Sequence, residues 1–316
     1  MRALLAALAL WASAGIAACP AFGQGVRLVI PFAAGGPADQ LARLVAPGMA
    51  QALGQPVVVD NRGGAGGVLA SEIVAKSAPD GQTLLVGSLG VVVLGASLQP
   101  KLPYDPARDF EPVAMFGRVP SLLVVQPALA ETLGGLAAAQ RGLGRPLTYG
   151  SAGPGTTMHI AGEMVRLATG LPMTHVPYRG AGPAVADFLA GNIDLMIADT
   201  PVLLPQVTAG RMRALGVFGS SRTPLLPGVA TAPEQGQPSL VMENWYGVLA
   251  PAGLAAGRRA ALEQAILQAM AAPEVAARLA EAGLQAGTGA AGFRAQLDRD
   301  QAQWPALLRQ LDIRLD

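Results

Sequence analysis

"VIPFAAGGPADQLARLV", residues 29–45, decides the fold of this chain. The apolar run 26–32 leads into a turn with two adjacent glycines, after which leucine and valine recur at helical spacing. This order predicts a buried strand, a tight turn and a helix. Glycine reaches backbone angles that other residues avoid and lets a ligand approach the chain closely. The stretch contains no histidine, cysteine or serine, so it predicts a loop that binds through its backbone.

Strand and helix patterns alternate along the rest of the chain in two series. The first series has predicted strands at 26–32, 56–62 and 82–88 with a helix at 68–78 between the last two; the second restarts at 146. Such alternation predicts α/β units with parallel strands and crossover helices. The runs 120–127 and 245–251 are predicted to cross between the two units.

Two prolines lie inside helical patterns. Pro47 with Gly48 predicts a kink or an early end of the first helix, and Pro305 predicts a break in the last helix.

The N-terminus is typical of an exported protein. Arg2 precedes an uncharged apolar run that ends in small residues, so residues 1–23 are predicted to be a signal peptide. Cleavage before Gln24 is one prediction. "IAAC", 16–19, resembles a lipobox and leaves open a lipid-bearing Cys19. Since Cys19 is the single cysteine, the chain cannot form an internal disulfide or a cysteine-based metal site.

Charge and motif content exclude several classes of function. Without Arg2, 21 basic residues balance 21 acidic ones, which does not favour nucleic acid or acidic lipid as a partner. No nucleophile elbow, P-loop lysine or metal-ligand spacing occurs, so we expect no enzyme activity, no metal and no cofactor. His159 and His175 are expected to be hydrogen-bonded parts of the scaffold.

Helix starts after glycine-bearing turns are the features that remain. The strongest are at 33–39, 87–90 and 150–157. Unpaired N–H groups and the positive end of the helix dipole attract anions there. We expect Asp39 to cap its own helix and Thr156 or Thr157 to cap the second. The carboxyl ends of strands in open α/β sheets bind ligands, so two facing turns predict an anion site.

Six segments, in order, resemble the Bug family, the extracytoplasmic solute receptors of tripartite tricarboxylate transporters. They are "RLVIPFAAGGPADQLARLVA", "LGQPVVVDNRGGAGGVLASEIVAKSAPDGQTLLVGSLG", "KLPYDPARDFEPVA", "GSAGPGTTMHIAGE", "THVPYRGAGPAVADFLAGNIDLM" and "WYGVLAPAG". The resemblance implies an α/β, two-domain periplasmic-binding-protein (Venus flytrap) fold, each domain a mostly parallel sheet flanked by helices. It implies two domains. The first consists of residues 24–122 together with 223–316, and the second consists of residues 123–222.

The resemblance also implies a ligand and a site. Family ligands are small carboxylates: dicarboxylates, tricarboxylates, acidic amino acids and aromatic acids. The implied ligand-binding residues are Phe32, Ala34, Gly35, Gly36, Asp39, Ser88, Gly90, Ser151, Gly153, Gly155, Thr156, Thr157, Tyr178, Arg179 and Asp199.

A monomeric periplasmic solute-binding protein that delivers its ligand to a membrane permease is therefore expected. Two alternatives stay open: a receptor that presents its ligand to a membrane sensor kinase, and an exported enzyme.

Overall fold

The computed structural model describes residues 25–99, 101–285 and 287–310. The predicted signal peptide 1–23 and Cys19 lie outside these residues. The strands of the described part are β1 Val26–Ile30, β2 Val57–Asn61, β3 Thr83–Ser88, β4 Phe110–Val125, β5 Leu147–Ser151, β6 Met173–Pro177, β7 Leu195–Asp199, β8 Arg213–Val217, β9 Glu243–Pro251 and β10 Thr288–Gly289.

Helices follow most of the strands. They are α1 Pro37–Leu53, α2 Val68–Ala75, α3 Gly95–Leu98, α4 Leu136–Leu143, α5 Thr157–Thr169, α6 Ala181–Leu189, α7 Thr200–Thr208, α8 Ala256–Ala271, α9 Pro273–Glu281 and α10 Ala290–Gln310. A π-helical segment, Gly90–Leu94, connects β3 to α3. None of the helices in the described ranges is long and apolar enough to cross a membrane.

The strands form two sets that share β4, in the order β2-β1-β3-β9-β4-β7-β5-β6. We call β1, β2, β3, β9, β10 and the first part of β4 the first lobe. The second lobe is β5 to β8 with the last part of β4, and each lobe includes the helices packed on it.

The α/β fold is confirmed. β2-β1-β3 and β6-β5-β7 are parallel, whereas β8, β9 and β10 pair antiparallel with β4.

Strand β4 is longer than the predicted run 120–127 because it crosses both lobes. Phe110 to Pro120 pair with β9, and Ser121 to Val125 pair with β7. Pro112 is tolerated because the register shifts immediately after it, as proline requires inside a sheet. The predicted domain boundaries stay a prediction.

Neither helical proline ends its helix. Of the kink or early end expected at Pro47, the early end is wrong, and the expected break at Pro305 is wrong. Pro47 lies on the exposed face of α1, and the packing of the buried Val45 and Met49 on the other face offsets the lost hydrogen bond. A Cβ on Gly48 would lie 2.7 Å from Ala269 Cβ, so glycine permits close packing of α1 on α8. In α10, buried Trp304 and Leu308 flank Pro305 in the same way.

One apolar cluster connects the lobes. It contains Val29 and Leu85 of the first lobe and Tyr149 and Leu195 of the second. Burial of each such side chain contributes about 1.5–3 kcal/mol. The shared core holds the carboxyl ends of β1, β3, β5 and β7 toward a common space.

Candidate functional site

A narrow cavity of about 30 Å³ lies between the lobes, and we call it the inner cavity. Its walls come from the starts of four helices, the end of β3 and the strand β9. The lining residues are Phe32, Gly36, Pro37, Ala38, Asp39, Ser88, Gly90, Ala152, Thr156, Thr157, Met158, Ala181, Asp199, Val202, Asn244 and Tyr246. The N-termini of α1, α5, α6 and α7 therefore converge on one space, where their dipoles favour negative charge.

The start of α1 has no side-chain cap. Gly36 is the N-cap residue, and Pro37 begins the helix without an N–H group. Asp39 is not the N-cap as expected: it lies in the first turn, and its Oδ2 accepts the N–H of Gly35 at 2.9 Å. The N–H groups that begin α1 therefore depend on solvent or a ligand for a partner.

A charged pair holds the loop before and at the start of α1, residues 32–39, in shape; we call it the first loop. The carboxylate of Asp39 accepts from Arg43 Nε at 3.0 Å, and Asn61 Nδ2 donates to the carbonyl of Phe32 at 3.1 Å. Burial raises the pKa of Asp39, but hydrogen bonds from Arg43, Gly35 and Asn61 outweigh it and hold the pKa below its usual value.

The start of α5 is capped by a side chain. Thr156 Oγ1 accepts the N–H of His159 at 3.4 Å and donates to the carbonyl of Gly153 at 2.7 Å, which confirms the expected threonine cap. Since that cap serves the third helical residue, the N–H groups of Thr157 and Met158 still depend on other partners.

The two histidines hold the loop before and at the start of α5, residues 151–157, in place through hydrogen bonds; we call it the second loop. Gly155 N–H donates to His159 Nδ1 at 3.2 Å, and His175 Nε2 lies 2.6 Å from Ser151 Oγ. The rings stack with centroids 4.1 Å apart. Burial, then the neighbouring His159, lowers the pKa of His175 to about 4. Both rings thus belong to the scaffold, as expected from the sequence.

Gly90 brings the end of β3 against the second loop. A Cβ there would lie 2.8 Å from Thr157 N and 3.3 Å from Thr157 Cγ2. Ser88 lines the same wall, and its Oγ accepts the N–H of Val91 at 3.4 Å. Glycine at position 90 therefore keeps the N-terminus of α5 open.

Asp199 lies in a buried polar network that joins the lobes. Its Oδ2 accepts from Asn244 Nδ2 at 2.6 Å and from the Tyr246 hydroxyl, and its Oδ1 accepts from Ser121 Oγ at 3.3 Å. Asn244 Oδ1 in turn accepts the N–H of Leu89 at 3.1 Å. Burial raises the pKa of Asp199, and its three donors lower it only in part. Asp199 thus fixes the cavity wall.

A wider cavity of about 610 Å³, the outer cavity, adjoins the inner one. The two share Phe32 and Ala152. The outer cavity is lined by the turn 63–67 of the first lobe and by Gly153, Pro154, Tyr178 and Arg179 of the second. The Tyr178 hydroxyl donates to Asp187. Burial and the Asp187 carboxylate raise the pKa of Tyr178 to about 12.

The structure brings most of the predicted site residues to these cavities. Eight of them line the inner cavity: Phe32, Gly36, Asp39, Ser88, Gly90, Thr156, Thr157 and Asp199. Three more line the outer cavity: Gly153, Tyr178 and Arg179.

Four predicted site residues line neither cavity: Ala34, Gly35, Ser151 and Gly155. Ala34 and Gly35 are exposed, and the Gly35 N–H is bonded to Asp39. Ser151 Oγ is bonded within its own loop and to His175, and Gly155 N–H is bonded to His159. These groups shape the loops.

Asn244 and Tyr246 of β9 line the inner cavity although sequence reasoning did not include them. The sequence did contain a signal: Asn244 and Tyr246 are two residues apart in an apolar strand, so they lie on the same face. A polar residue at such a position is buried with a partner.

Comparisons with known proteins agree with this geometry. The model of the tripartite tricarboxylate transporter family receptor matches residues 41–313. The protein BugT of Bordetella pertussis is 38% identical over 262 residues, covering 80% of each chain.

Two solved structures from Rhodopseudomonas palustris are similar over nearly their whole length. MatC with bound malate has a TM-score of 0.85 and 32% identity, covering 90% of this chain and 98% of MatC. A protein solved with adipate has a TM-score of 0.86 and 33% identity, covering 92% of this chain and 98% of its own.

Proposed function

The chain belongs to the tripartite tricarboxylate transporter receptor family, and we propose that it captures a small organic carboxylate between its lobes and delivers it to the membrane permease of such a transporter. Family membership makes it a Bug-type solute receptor. Capture takes place in the periplasm, in line with the predicted signal peptide and with the periplasmic binding protein BugD, which has a TM-score of 0.86 to this chain.

The observation that carries this proposal is the convergence of α1 and α5 on the inner cavity. A carboxylate there accepts N–H groups from Ala38 and Asp39 on one side and from Thr157 and Met158 on the other. Each charge-assisted hydrogen bond contributes about 1.5–3 kcal/mol. Such binding breaks and forms no covalent bond, so the ligand leaves unchanged.

Contact between the lobes explains how the ligand is enclosed. A Cβ on Gly66 would lie 2.6 Å from the carbonyl of Pro154, and one on Gly95 would lie 3.3 Å from the carbonyl of Gly155. The lobes approach this closely only with glycine at these positions. A ligand with higher affinity for the closed form shifts the balance toward closure, and the permease receives the closed form.

A thermal-shift screen of the mature protein tests the proposal. The compounds are small monocarboxylates, dicarboxylates and tricarboxylates, with neutral sugars as the control set. An acid at 100 times its dissociation constant should add about 2.7 kcal/mol to the free energy of unfolding. A shift with sugars and none with any acid would contradict the proposal.

A further inference from the structure

The chain crosses between the lobes at two points of the described ranges, and these points are neighbours. Strand β4 crosses at Pro120 and Ser121, where its pairing changes from β9 to β7. The chain returns at Met242 and Glu243, and Glu243 begins β9 opposite Pro120. The N–H of Ser121 donates to the carbonyl of Met242 at 3.1 Å. We call these four residues the hinge, because bending there turns one lobe relative to the other.

Thr200, the first residue of α7 in the second lobe, joins this lobe to the hinge and to the first lobe. Its side chain is buried, and its Oγ1 donates to the carbonyl of Pro120 at 2.8 Å. A Cβ on Gly283, just after α9 of the first lobe, would lie 3.1 Å from Thr200 Cγ2. Since Thr200 lines neither cavity, its side chain affects ligand binding only through the arrangement of the lobes.

The residue before it, Asp199, has the N-cap position of α7, but its side chain does not cap the helix. An N-cap aspartate ordinarily accepts a hydrogen bond from its own helix. Here the carboxylate accepts from Asn244 and Tyr246 of β9, across the boundary between the lobes. All three residues are at most 5% exposed. Asp199 and Thr200 together therefore join the start of α7 to both strands that meet at the hinge.

The bonds of Asp199 depend on whether the lobes are closed. Asp199, Asn244 and Tyr246 all line the inner cavity, so water enters between them when the lobes separate. Charge-assisted hydrogen bonds gain strength where water is excluded. Only an interaction that differs between two conformations shifts the balance between them. These bonds therefore favour the closed form over the open one.

We propose that Asp199 and Thr200 form a latch that is complete only when the lobes are closed, and that Thr200 is a positioning residue for ligand capture. This inference rests on the proposed function, in which capture requires closure. The latch slows reopening, so its loss raises the dissociation rate of a bound acid and changes the association rate little.

Stopped-flow kinetics of the mature protein test the latch. The probe is the acid, from a set that includes acetate, succinate and citrate, that raises the melting temperature of wild type most. Thr200→Val removes the hydroxyl and keeps the shape of the side chain. We expect its dissociation rate to rise about two- to tenfold, the range that one neutral hydrogen bond supplies. Thr200→Ser keeps the hydroxyl and should retain most of the wild-type behaviour.

Thr169→Val is the matched control. Thr169 Oγ1 donates to the carbonyl of Val165 at 2.6 Å, so the variant loses the same kind of bond within one helix of one lobe. It should release the probe acid like wild type, even where its melting temperature is lower. Circular dichroism checks that each variant folds.

Tyr246→Phe decides the question if Thr200→Val does not fold. It removes a donor to Asp199 and keeps the ring, and its dissociation rate should also rise.

An unchanged dissociation rate in the folded latch variant, or an equal rise in Thr169→Val, would overturn the latch but leave the proposed function standing. Absence of binding by every acid to wild type would overturn both.

Discussion

The two loops that begin α1 and α5 face one cavity but are held in shape by different chemistry. Charge holds the first loop: Asp39 accepts from Gly35 and Arg43 while no side chain caps the helix. Neutral groups hold the second loop: Thr156 caps the helix, and His159 accepts the N–H of Gly155. The two loops thus serve one binding function but depend on different interactions. Each loop should therefore lose its shape under different conditions.

The largest expected effect comes from closing the second loop while leaving the first intact. Gly90→Ala places a methyl group 2.8 Å from Thr157 N, so it should block the start of α5. We expect carboxylate affinity to fall about a hundredfold, equivalent to losing about one charge-assisted hydrogen bond. Calorimetric titration measures the loss, and circular dichroism checks the fold.

Gly142→Ala is the matched control, because a Cβ at that position has no atom within 4 Å. It should bind like wild type. Wild-type affinity in a folded Gly90→Ala protein would show that the second loop does not contact the ligand.

Removing the charge that holds the first loop should have the next largest effect. Asp39→Ala frees the Gly35 N–H and Arg43, and we expect the free energy of unfolding to fall by about 1–2 kcal/mol, since the Arg43 end is solvent-screened. Asp39→Asn keeps an acceptor for Gly35 and should lose less.

Urea denaturation measures these differences. Asp298→Ala, an exposed change in α10, serves as the control. If Asp39→Ala is as stable as that control, the charged pair does not stabilise the first loop.

Removing the N-cap of α5 should lower the free energy of unfolding somewhat less than removing the Asp39 charge does. Thr156→Ala removes the acceptor for His159 N–H and should lower the free energy of unfolding by about 1 kcal/mol. Thr156→Ser keeps the hydroxyl and should retain most of the stability in the same denaturation experiment. An equal loss in both variants would mean that the methyl group, and not the cap, matters.

Mild acid should lower the stability of the protein by a small amount, and only through the second loop. The pKa of His175 is about 4 in the folded protein and 6.5 when exposed, so the unfolded chain binds more protons between these values. This contribution to stability is complete above pH 6.5 and is lost as the pH falls toward 4. Between pH 7 and pH 6 the loss is under about 1 kcal/mol.

Melting temperatures of wild type and His175→Asn across this range check the assignment. The variant should show a shallower decline, whereas Asp39, with its lowered pKa, stays ionised throughout. An identical decline in both proteins would exclude His175 as the titrating group.

Local patterns predicted much of the site, because the strand, the turn and the helix start are encoded in one contiguous stretch. They did not predict how Pro47 and Pro305 are tolerated, since that depends on packing against residues distant in sequence, such as Ala269. They also missed Asn244 and Tyr246, whose burial follows from their bonds to Asp199, more than 40 residues away. They did not predict the hydrogen bond from Gly35 N–H to Asp39, and ligand contact by Gly35 stays a prediction.

The central claim is that both helix starts bind one carboxylate, and the backbone amides report on it directly. Amide chemical shifts of the mature protein can be followed during titration with the acid that raises its melting temperature most. We predict that the amides of Ala38, Asp39, Thr157 and Met158 shift together, with one dissociation constant. Shifts confined to one lobe, or these four amides unchanged at saturation, would contradict the claim.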